Sequence, residues 1–505
     1  MLTNPKGGTI MKAELIINKK YTVGEIDKRI YGSFIEHIGR AVYSGIYEPG
    51  HPSADEEGFR KDVIELVKKL NVPIVRYPGG NFVSGYCWED GVGDKSKRPK
   101  RKELAWFSTE TNEVGTDEFC HWAKKANSDV MLAVNLGTRG AEDAMNLVEY
   151  CNSEGNTKYA KMRAENGNPE PHGVKVWCLG NEMDGPWQIG HKTAEEYGRL
   201  ALESAKLMKW TDSSIELVLC GSSGVWMNTY GDWEWTVLNH AYDNVDYISL
   251  HSYYGYEGDT SDFLARSVVM NDFIKGVTAI CDAVKAKKHS KKTVNLSFDE
   301  WNVWYHDPNR RGKNWEEAPS ILEDIYDFQD ALLVGCMLMT LQNNCDRVKM
   351  ACLAQLVNVI APIMTERGGK AWCQTIFYPF MYGSNYGRGT VMKTVTRCDT
   401  YKARCADSVP YVETSVIHDS ENRVINVFVV NRNLEEDVEL ELSFESFGDC
   451  EATEHVMLYS DDLFATNSAD AEKVSPISVE VSGDRNTAHT LNLKKHSWNM
   501  ITFKY

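Results

Sequence analysis

Val174-Lys175-Val176-Trp177-Cys178-Leu179-Gly180-Asn181-Glu182 and Thr293-Val294-Asn295-Leu296-Ser297-Phe298-Asp299-Glu300-Trp301 share one pattern. Each is a largely apolar run of strand length that ends abruptly in carboxylates. Such a run reads as a strand buried on both faces, as parallel sheets require. Placed in one parallel barrel, the two strands bring Glu182 and Glu300 together at the C-terminal mouth, where barrels of this kind do their chemistry.

The rest of the chain supplies the other strands. Strand-like runs occupy residues 29–38, 73–77, 130–136, 174–179, 217–220, 247–252, 294–298 and 348–356. Helical patterns lie between them. Residues 59–70 carry Val63, Leu66, Val67 and Leu70 at helical spacing. Thr116 suits the N-cap of a helix over 116–126. Residues 193–208 and 272–286 read alike, and the more apolar 321–339 predicts a deeply packed helix. Eight strands alternating with helices predict an α/β fold, a (β/α)8 TIM barrel over residues 26–389. A doubly wound sheet would place G-x-G-x-x-G after an early strand, where this chain has Pro78-Gly79-Gly80-Asn81.

After residue 390 short strand-like runs at 411–418, 424–431, 438–444, 455–459, 478–481, 488–493 and 499–503 are split by polar turns. They predict a C-terminal all-β sandwich, jelly-roll-like, over 390–505. Residues 1–25 read as an N-terminal extension with a strand at 12–17 that joins this sandwich.

Bulk properties narrow the function. The 505 residues are 42% hydrophobic and 25% charged, ordinary for a globular protein, with a formal net charge of −17. That charge argues against nucleic acid and anionic membranes as partners. The thirteen cysteines are odd in number, and Cys178, Cys220 and Cys352 sit in or beside apolar runs, which suits a reducing, cytoplasmic setting. No apolar stretch fits a signal peptide or a membrane span, and Met1 and Met11 are both candidate starts. Six of the eight residues 95–102 are basic. They read as a solvated loop, with a cleft-shaping or subunit-contact role as the alternative.

Two facing carboxyl groups about 5 Å apart are the equipment for retaining glycoside hydrolysis. Glu182 and Glu300 end the fourth and seventh strands and are the candidate pair. Asn181 stands beside Glu182 to bond a sugar hydroxyl, and Tyr253, after the sixth strand, suits donation to the nucleophile. Glu36 at the first strand end is a third acid, able to accept from sugar hydroxyls. Arg76 at the second can pair with the nucleophile, and Asn81 can bond a further hydroxyl. Gln355 ends the eighth strand. Trp106, Trp301 and Trp304 offer flat faces for sugar rings. His251 and His37 read as structural. A metal site from them with Glu182 and Glu300 lacks the helical His-Glu-x-x-His spacing, and no C-x-x-C pair occurs. No metal and no cofactor are expected, since two carboxylates and water suffice.

These strings resemble the α-L-arabinofuranosidases of glycoside hydrolase family 51. The matching pieces are residues 32–40, 76–81, Leu104-Ala105-Trp106-Phe107, 179–182, 246–254, 298–305 and Ala354-Gln355-Leu356-Val357-Asn358, in the family's order. The resemblance implies a retaining, exo-acting enzyme that removes terminal arabinofuranosyl residues from arabinan or arabinoxylan fragments. It implies Glu182 as acid/base, Glu300 as nucleophile, and Glu36, Asn81, Asn181, Tyr253 and Gln355 as ring contacts. Arg76 would buttress the nucleophile, and Trp304 with the residues after it would line the leaving-group side. It further implies an intracellular homohexamer. Tyr77 departs from the tryptophan of many relatives. The alternatives are a β-xylosidase or endo-β-glucanase on the same barrel, and a carbohydrate-binding protein without catalysis.

Overall fold

The computed structural model describes residues 11–304 and 315–505. Eight parallel strands close in sequence order: β1 (Gly32–Phe34), β2 (Ile74–Tyr77), β3 (Asp129–Ala133), β4 (Val176–Leu179), β5 (Glu216–Leu219), β6 (Tyr247–Tyr254), β7 (Asn295–Val303) and β8 (Val348–Ala354). The seam between β8 and β1 pairs Cys352 with Gly32 and Ala354 with Phe34.

The unbroken apolar runs have a simple cause. In β4, Val176 and Cys178 join an interior cluster with Phe34, Met131, Val218 and Met350. Trp177 and Leu179 point the other way, into the larger core beneath the helices. Successive residues of a strand face opposite sides, and here both sides are dry.

Several boundaries differ from the sequence expectations. The first strand shrinks from 29–38 to Gly32–Phe34, because Lys28–Tyr31 forms a 3-10 turn capped by Asp27. Arg29 is held there by Asp27, by Glu216 at 2.9 Å and by Tyr247 at 3.1 Å. β6 and β7 run on to Tyr254 and Val303. Glu300 therefore lies within its strand rather than at its end.

Thr116 is the first residue of its helix, not the cap. Gly115 precedes it, and the Gly115 N–H donates to Glu118 at 2.9 Å. The deep helix spans Phe328–Asn343 rather than 321–339, because Asp327 caps it by accepting from the Asp330 N–H. Phe328 through Gln342 are all buried, so the helix is apolar nearly all round, as a helix between two layers must be. The helix at 272–286 is longer, Arg266–Lys287. The sequence reading passed over helices Ala141–Asn152, Lys158–Glu165, Asp232–Ala241 and Phe377–Tyr386, although the first carries Ala144, Leu147, Val148 and Cys151 at helical spacing.

The C-terminal part is β-rich. Strands Val412–Asp419, Val424–Asn431, Ser497–Lys504 and Cys450–Leu458 form the centre of one antiparallel sheet. Strands Val438–Ser443 and Ala488–Leu493 pair in another. Met11–Ile16 adds to that second sheet, parallel to Val438–Ser443. Thr22–Glu25 extends the first sheet through Thr390–Met392, a pairing the sequence reading did not anticipate. Leu15, Val427, Val429, Leu440, Leu442 and Phe503 pack between them. The expected run 478–481 reduces to Ile477–Ser478. The helix Phe328–Asn343 carries the contact with the barrel. A Cβ at Gly335 would lie 2.4 Å from the Trp498 ring, so the indole of the sandwich rests directly on the helix backbone. Residues 1–10, on which the choice between Met1 and Met11 turns, lie outside the described residues, which begin at Met11.

Candidate active site

A cavity of about 670 Å³ opens at the C-terminal mouth of the barrel. Glu36, Asn81, Trp106, Glu182, Tyr253, Glu300, Trp304 and Gln355 line it. Asn181, Arg76 and His251 lie directly beneath, buried and bonded to that lining.

Glu300 is held by two donors. Arg76 Nη1 reaches Glu300 Oε1 at 2.7 Å, and the Tyr253 hydroxyl reaches Oε2 at 2.8 Å. The neighbouring Asp299 is 1% exposed and accepts from His251 Nε2 at 3.0 Å. Adjacent residues of a regular strand cannot both turn inward. The register of β7 breaks against β6 between Ser249 and His251, and against β8 between Phe298 and Trp301. This irregularity aims both carboxylates at the same centre. Trp301, one position on, is fully buried in the outer core, so it offers no face to a sugar, contrary to the sequence expectation.

Glu182 sits in a different environment. It follows Gly180 (φ +88°) and itself takes a left-handed backbone (φ +44°), a conformation that costs about 1–3 kcal/mol and clusters at functional sites. Trp187 Nε1 donates to Glu182 Oε2 at 2.8 Å, and His251 Nδ1 lies 2.9 Å from Oε1. His251 thus bridges Glu182 and Asp299. Burial would lower its pKa, but the charge of Glu300 and the bonds to Asp299 and Glu182 push it up to about 10. Burial, together with the charge of Glu300, raises Glu182 above the ordinary carboxylate range.

Glu182, His251 and Glu300 each offer a ligand atom within 4.8 Å of the others. Among the described residues they are the one cluster spaced to hold a metal ion. An imidazolium whose two nitrogens both face carboxylates has no lone pair for a metal, so the arrangement reads as a hydrogen-bond cluster.

Glu36 accepts from the Phe82 N–H at 2.8 Å and from Trp106 Nε1 at 2.9 Å, both at Oε1. Burial outweighs these bonds and pushes its pKa up to about 8. Oε2 is left to carry the proton. Gly80 makes room for it: a Cβ there would lie 2.1 Å from Oε2, and φ at Gly80 is +24°. Gln355 is tied to the same residue, its Oε1 accepting from the Glu36 N–H at 2.9 Å. Asn181 is 1% exposed. Its Oδ1 accepts from Arg76 Nη2 at 2.7 Å and its Nδ2 faces Asn81 Oδ1 at 3.4 Å.

The basic segment 95–102 leads into a hairpin, Arg101–Glu103 paired with Ser108–Glu110. The hairpin tip delivers Leu104, Ala105, Trp106 and Phe107 to the cavity. Arg98 pairs with Glu118 at 2.7 Å, Arg101 with Asp90 at 2.9 Å and Lys100 with Glu317, while Lys102 lies over the Trp315 ring. The charges anchor the hairpin and do not line the cavity. Glu103 accepts from the N–H groups of Ala105 and Trp106, both at 2.6 Å, and so holds the tip.

The sequence reading missed Asp299, Glu103, Trp187 and Trp226. Asp299 had a signal, a second acid in the same string. The residues after Trp304 assigned to the leaving-group side fall in 305–314, outside the described residues. His37 is structural as expected, with Glu110 at 2.8 Å and the Tyr77 hydroxyl at 2.6 Å.

A closed parallel barrel with two carboxyl groups facing across its mouth defines the class of barrel glycoside hydrolases. Comparison with known proteins narrows that class. The α-L-arabinofuranosidase 1 domain model matches residues 66–262, and the α-L-arabinofuranosidase C-terminal domain model matches residues 299–497. An intracellular exo-α-(1→5)-L-arabinofuranosidase 1 of Bacillus subtilis is 56% identical over 98% of this chain and 99% of its own length. An exo-α-(1→6)-L-arabinofuranosidase of Bifidobacterium longum is 47% identical over 99% and 98%. The solved structure of AbfB, a family 51 α-L-arabinofuranosidase from B. longum, superposes with a TM-score of 0.94 at 43% identity, covering 98% of this chain and all of that one. The chain belongs to the family 51 α-L-arabinofuranosidases.

Proposed function

We propose that this chain is a retaining, exo-acting hydrolase that removes terminal non-reducing α-L-arabinofuranosyl residues from short arabino-oligosaccharides, with Glu182 as acid/base and Glu300 as nucleophile. One observation carries the reading: a carboxylate oxygen of Glu182 and one of Glu300 lie within 4.8 Å of each other, the close spacing of retaining enzymes. Glu300 attacks the anomeric carbon while Glu182 gives its proton to the departing oxygen. A glycosyl–Glu300 ester forms as the glycosidic bond breaks. Glu182, now ionised, takes a proton from water, and the water oxygen displaces Glu300 with net retention.

The surrounding groups have distinct tasks. Arg76 and Tyr253 hold both oxygens of Glu300 and fix its orientation toward the anomeric carbon. Glu36, Asn81, Asn181 and Gln355 serve the furanosyl ring, Trp106 packs beside it, and Trp304 lines the leaving-group side. Trp187 orients Glu182 on the leaving-group side. α-(1→5) links are the preferred substrate in this reading, supported by relatives of that name at 56% identity. A cytoplasmic setting is supported by relatives named intracellular and by thirteen free thiols. Among the described residues no helix is long and apolar enough to cross a membrane. The hexamer in this reading rests on the family resemblance.

The deciding experiment is release of 4-nitrophenol from α-L-arabinofuranoside, β-D-xylopyranoside and β-D-cellobioside. Dominant turnover of the first is expected. Dominant turnover of either other sugar would leave the two glutamates in place and overturn the substrate.

A further inference from the structure

Two neighbouring loops carry the same short pattern, a glycine two residues before a tryptophan. Gly185-Pro186-Trp187 follows β4, and Gly224-Val225-Trp226 follows β5. In each, the indole folds back over its own glycine. A Cβ at position 185 would lie 2.6 Å from the Trp187 ring, and one at 224 would lie 2.4 Å from Trp226 Nε1. Any other residue there displaces the ring, so the two glycines set where the two indoles stand.

The two rings are direct neighbours. Their centroids are 5.7 Å apart, comparable to the length of one pentose unit, and their planes differ by 32°. Both line the catalytic cavity. Trp187 stands beside the acid, its Nε1 bonded to Glu182. Trp226 stands one ring farther out and is 66% exposed, against 44% for Trp187. An indole seated on its own backbone and left wet at the rim of a sugar cavity is a flat, rigid, apolar platform. A pentose ring presents an apolar C–H face and keeps its hydroxyls at the edge, which suits stacking on such a platform.

We propose that Trp226 binds the second sugar of the leaving chain, counted outward from the scissile bond, and so makes the enzyme select chains of three or more pentoses over two. This rests on the arabinofuranosidase reading above. Trp226 touches neither reacting carboxylate in this assignment. It acts on affinity for the longer chain, not on the chemical step.

The test compares α-1,5-linked arabinotriose with arabinobiose. In the wild type, kcat/KM for the triose should exceed that for the biose by about fivefold. Trp226→Ala should bring the ratio close to one, with the change appearing in KM for the triose. Gly224→Ala, which keeps the indole but moves it, should do the same, and Trp226→Phe should retain part of the preference. Circular dichroism and melting temperature establish that each variant is folded. Trp226 is largely exposed, so its own variants carry the test even where Gly224→Ala does not fold. An equal triose-to-biose ratio in the wild type and in folded Trp226→Ala overturns this assignment alone. Absence of turnover of both sugars by the wild type overturns the arabinofuranosidase reading and this assignment with it.

Discussion

Glu182 and Glu300 carry the same side chain in the same cavity, and their partners separate their chemistry. Glu300 faces a guanidinium and a phenol, while Glu182 faces an indole and an imidazole shared with Asp299. Glu300→Ala should lower kcat on the order of 10⁴-fold. Azide should restore turnover with inverted product, detected by NMR; full activity without azide would remove Glu300 from the nucleophile role. Glu182→Ala should cost about 10²–10⁴-fold on substrates with poor leaving groups and far less on 2,4-dinitrophenyl arabinofuranoside, because a good leaving group departs without a proton. Equal losses on both would refute its acid role.

Two raised pKa values also predict a pH dependence of stability. Glu36 moves from 4.5 to about 8 and His251 from 6.5 to about 10. In each case the folded protein binds the proton more tightly than the unfolded chain. Stability is therefore highest below the unfolded pKa and is lost as pH rises through the folded one. The melting temperature of the free enzyme should fall between about pH 5 and pH 10 from these groups, and Glu36→Gln should flatten the lower part of that fall. A Glu36→Gln variant with the wild-type slope between pH 5 and 8 would contradict the assignment.

At the scale of elements, short local bonds decide where helices and strands begin. The helix Ala194–Thr211 is capped reciprocally: the Thr193 hydroxyl accepts from the Glu196 N–H at 3.3 Å, and the Glu196 carboxylate accepts from the Thr193 N–H at 2.9 Å. Thr193→Ala should cost about 1 kcal/mol in urea unfolding, with kcat retained. This start was readable because a capping box is a local pattern. Asp327 and Asp330 form the same reciprocal cap ahead of Phe328, but apolar residues among 321–327 extend the helical pattern upstream and hide that start. They are instead drawn to the cavity, where Ile321 and Leu322 line the wall. The inward turn of both Asp299 and Glu300 was equally hidden. It depends on register breaks against two neighbouring strands, which the β7 string does not contain.

At the scale of the whole molecule, the sandwich and the barrel are joined by buried groups that neither could leave unpaired. Arg432 of the sandwich is 1% exposed and bonds Glu413 and, across the junction, Ser267, each at 2.6 Å. Trp498 rests on Gly335 of the helix Phe328–Asn343. Trp498→Ala should destabilise the protein by about 3–5 kcal/mol, seen as a lower melting temperature. Arg432→Ala should also lower the melting temperature, because it removes the guanidinium that ties the half-buried Glu413 to Ser267 across the junction. Small losses in both would mean that the two parts are stabilised independently.

The sequence by itself determined the barrel, the two glutamates and the order of the site strings. Buried parallel strands need unbroken apolar runs, and catalytic carboxylates stand out against them where the runs break off. It also pointed to Glu36, Arg76, Tyr253 and Gln355, since each sits at a strand end that a barrel must bring to one mouth. Only the tertiary structure decided which of these touch. It bonded Asn181 to Arg76 and sent Trp301 into the core. It recruited Asp299 through a bulge, and Trp187 and Trp226 from loops whose course depends on two glycines. The physical reason is range. Apolar patterning, caps and turns act over a few residues and leave their mark in composition and spacing, whereas the raised pKa of Glu182 depends on its burial and on Glu300 and His251, from two other strands that meet it only when the barrel closes.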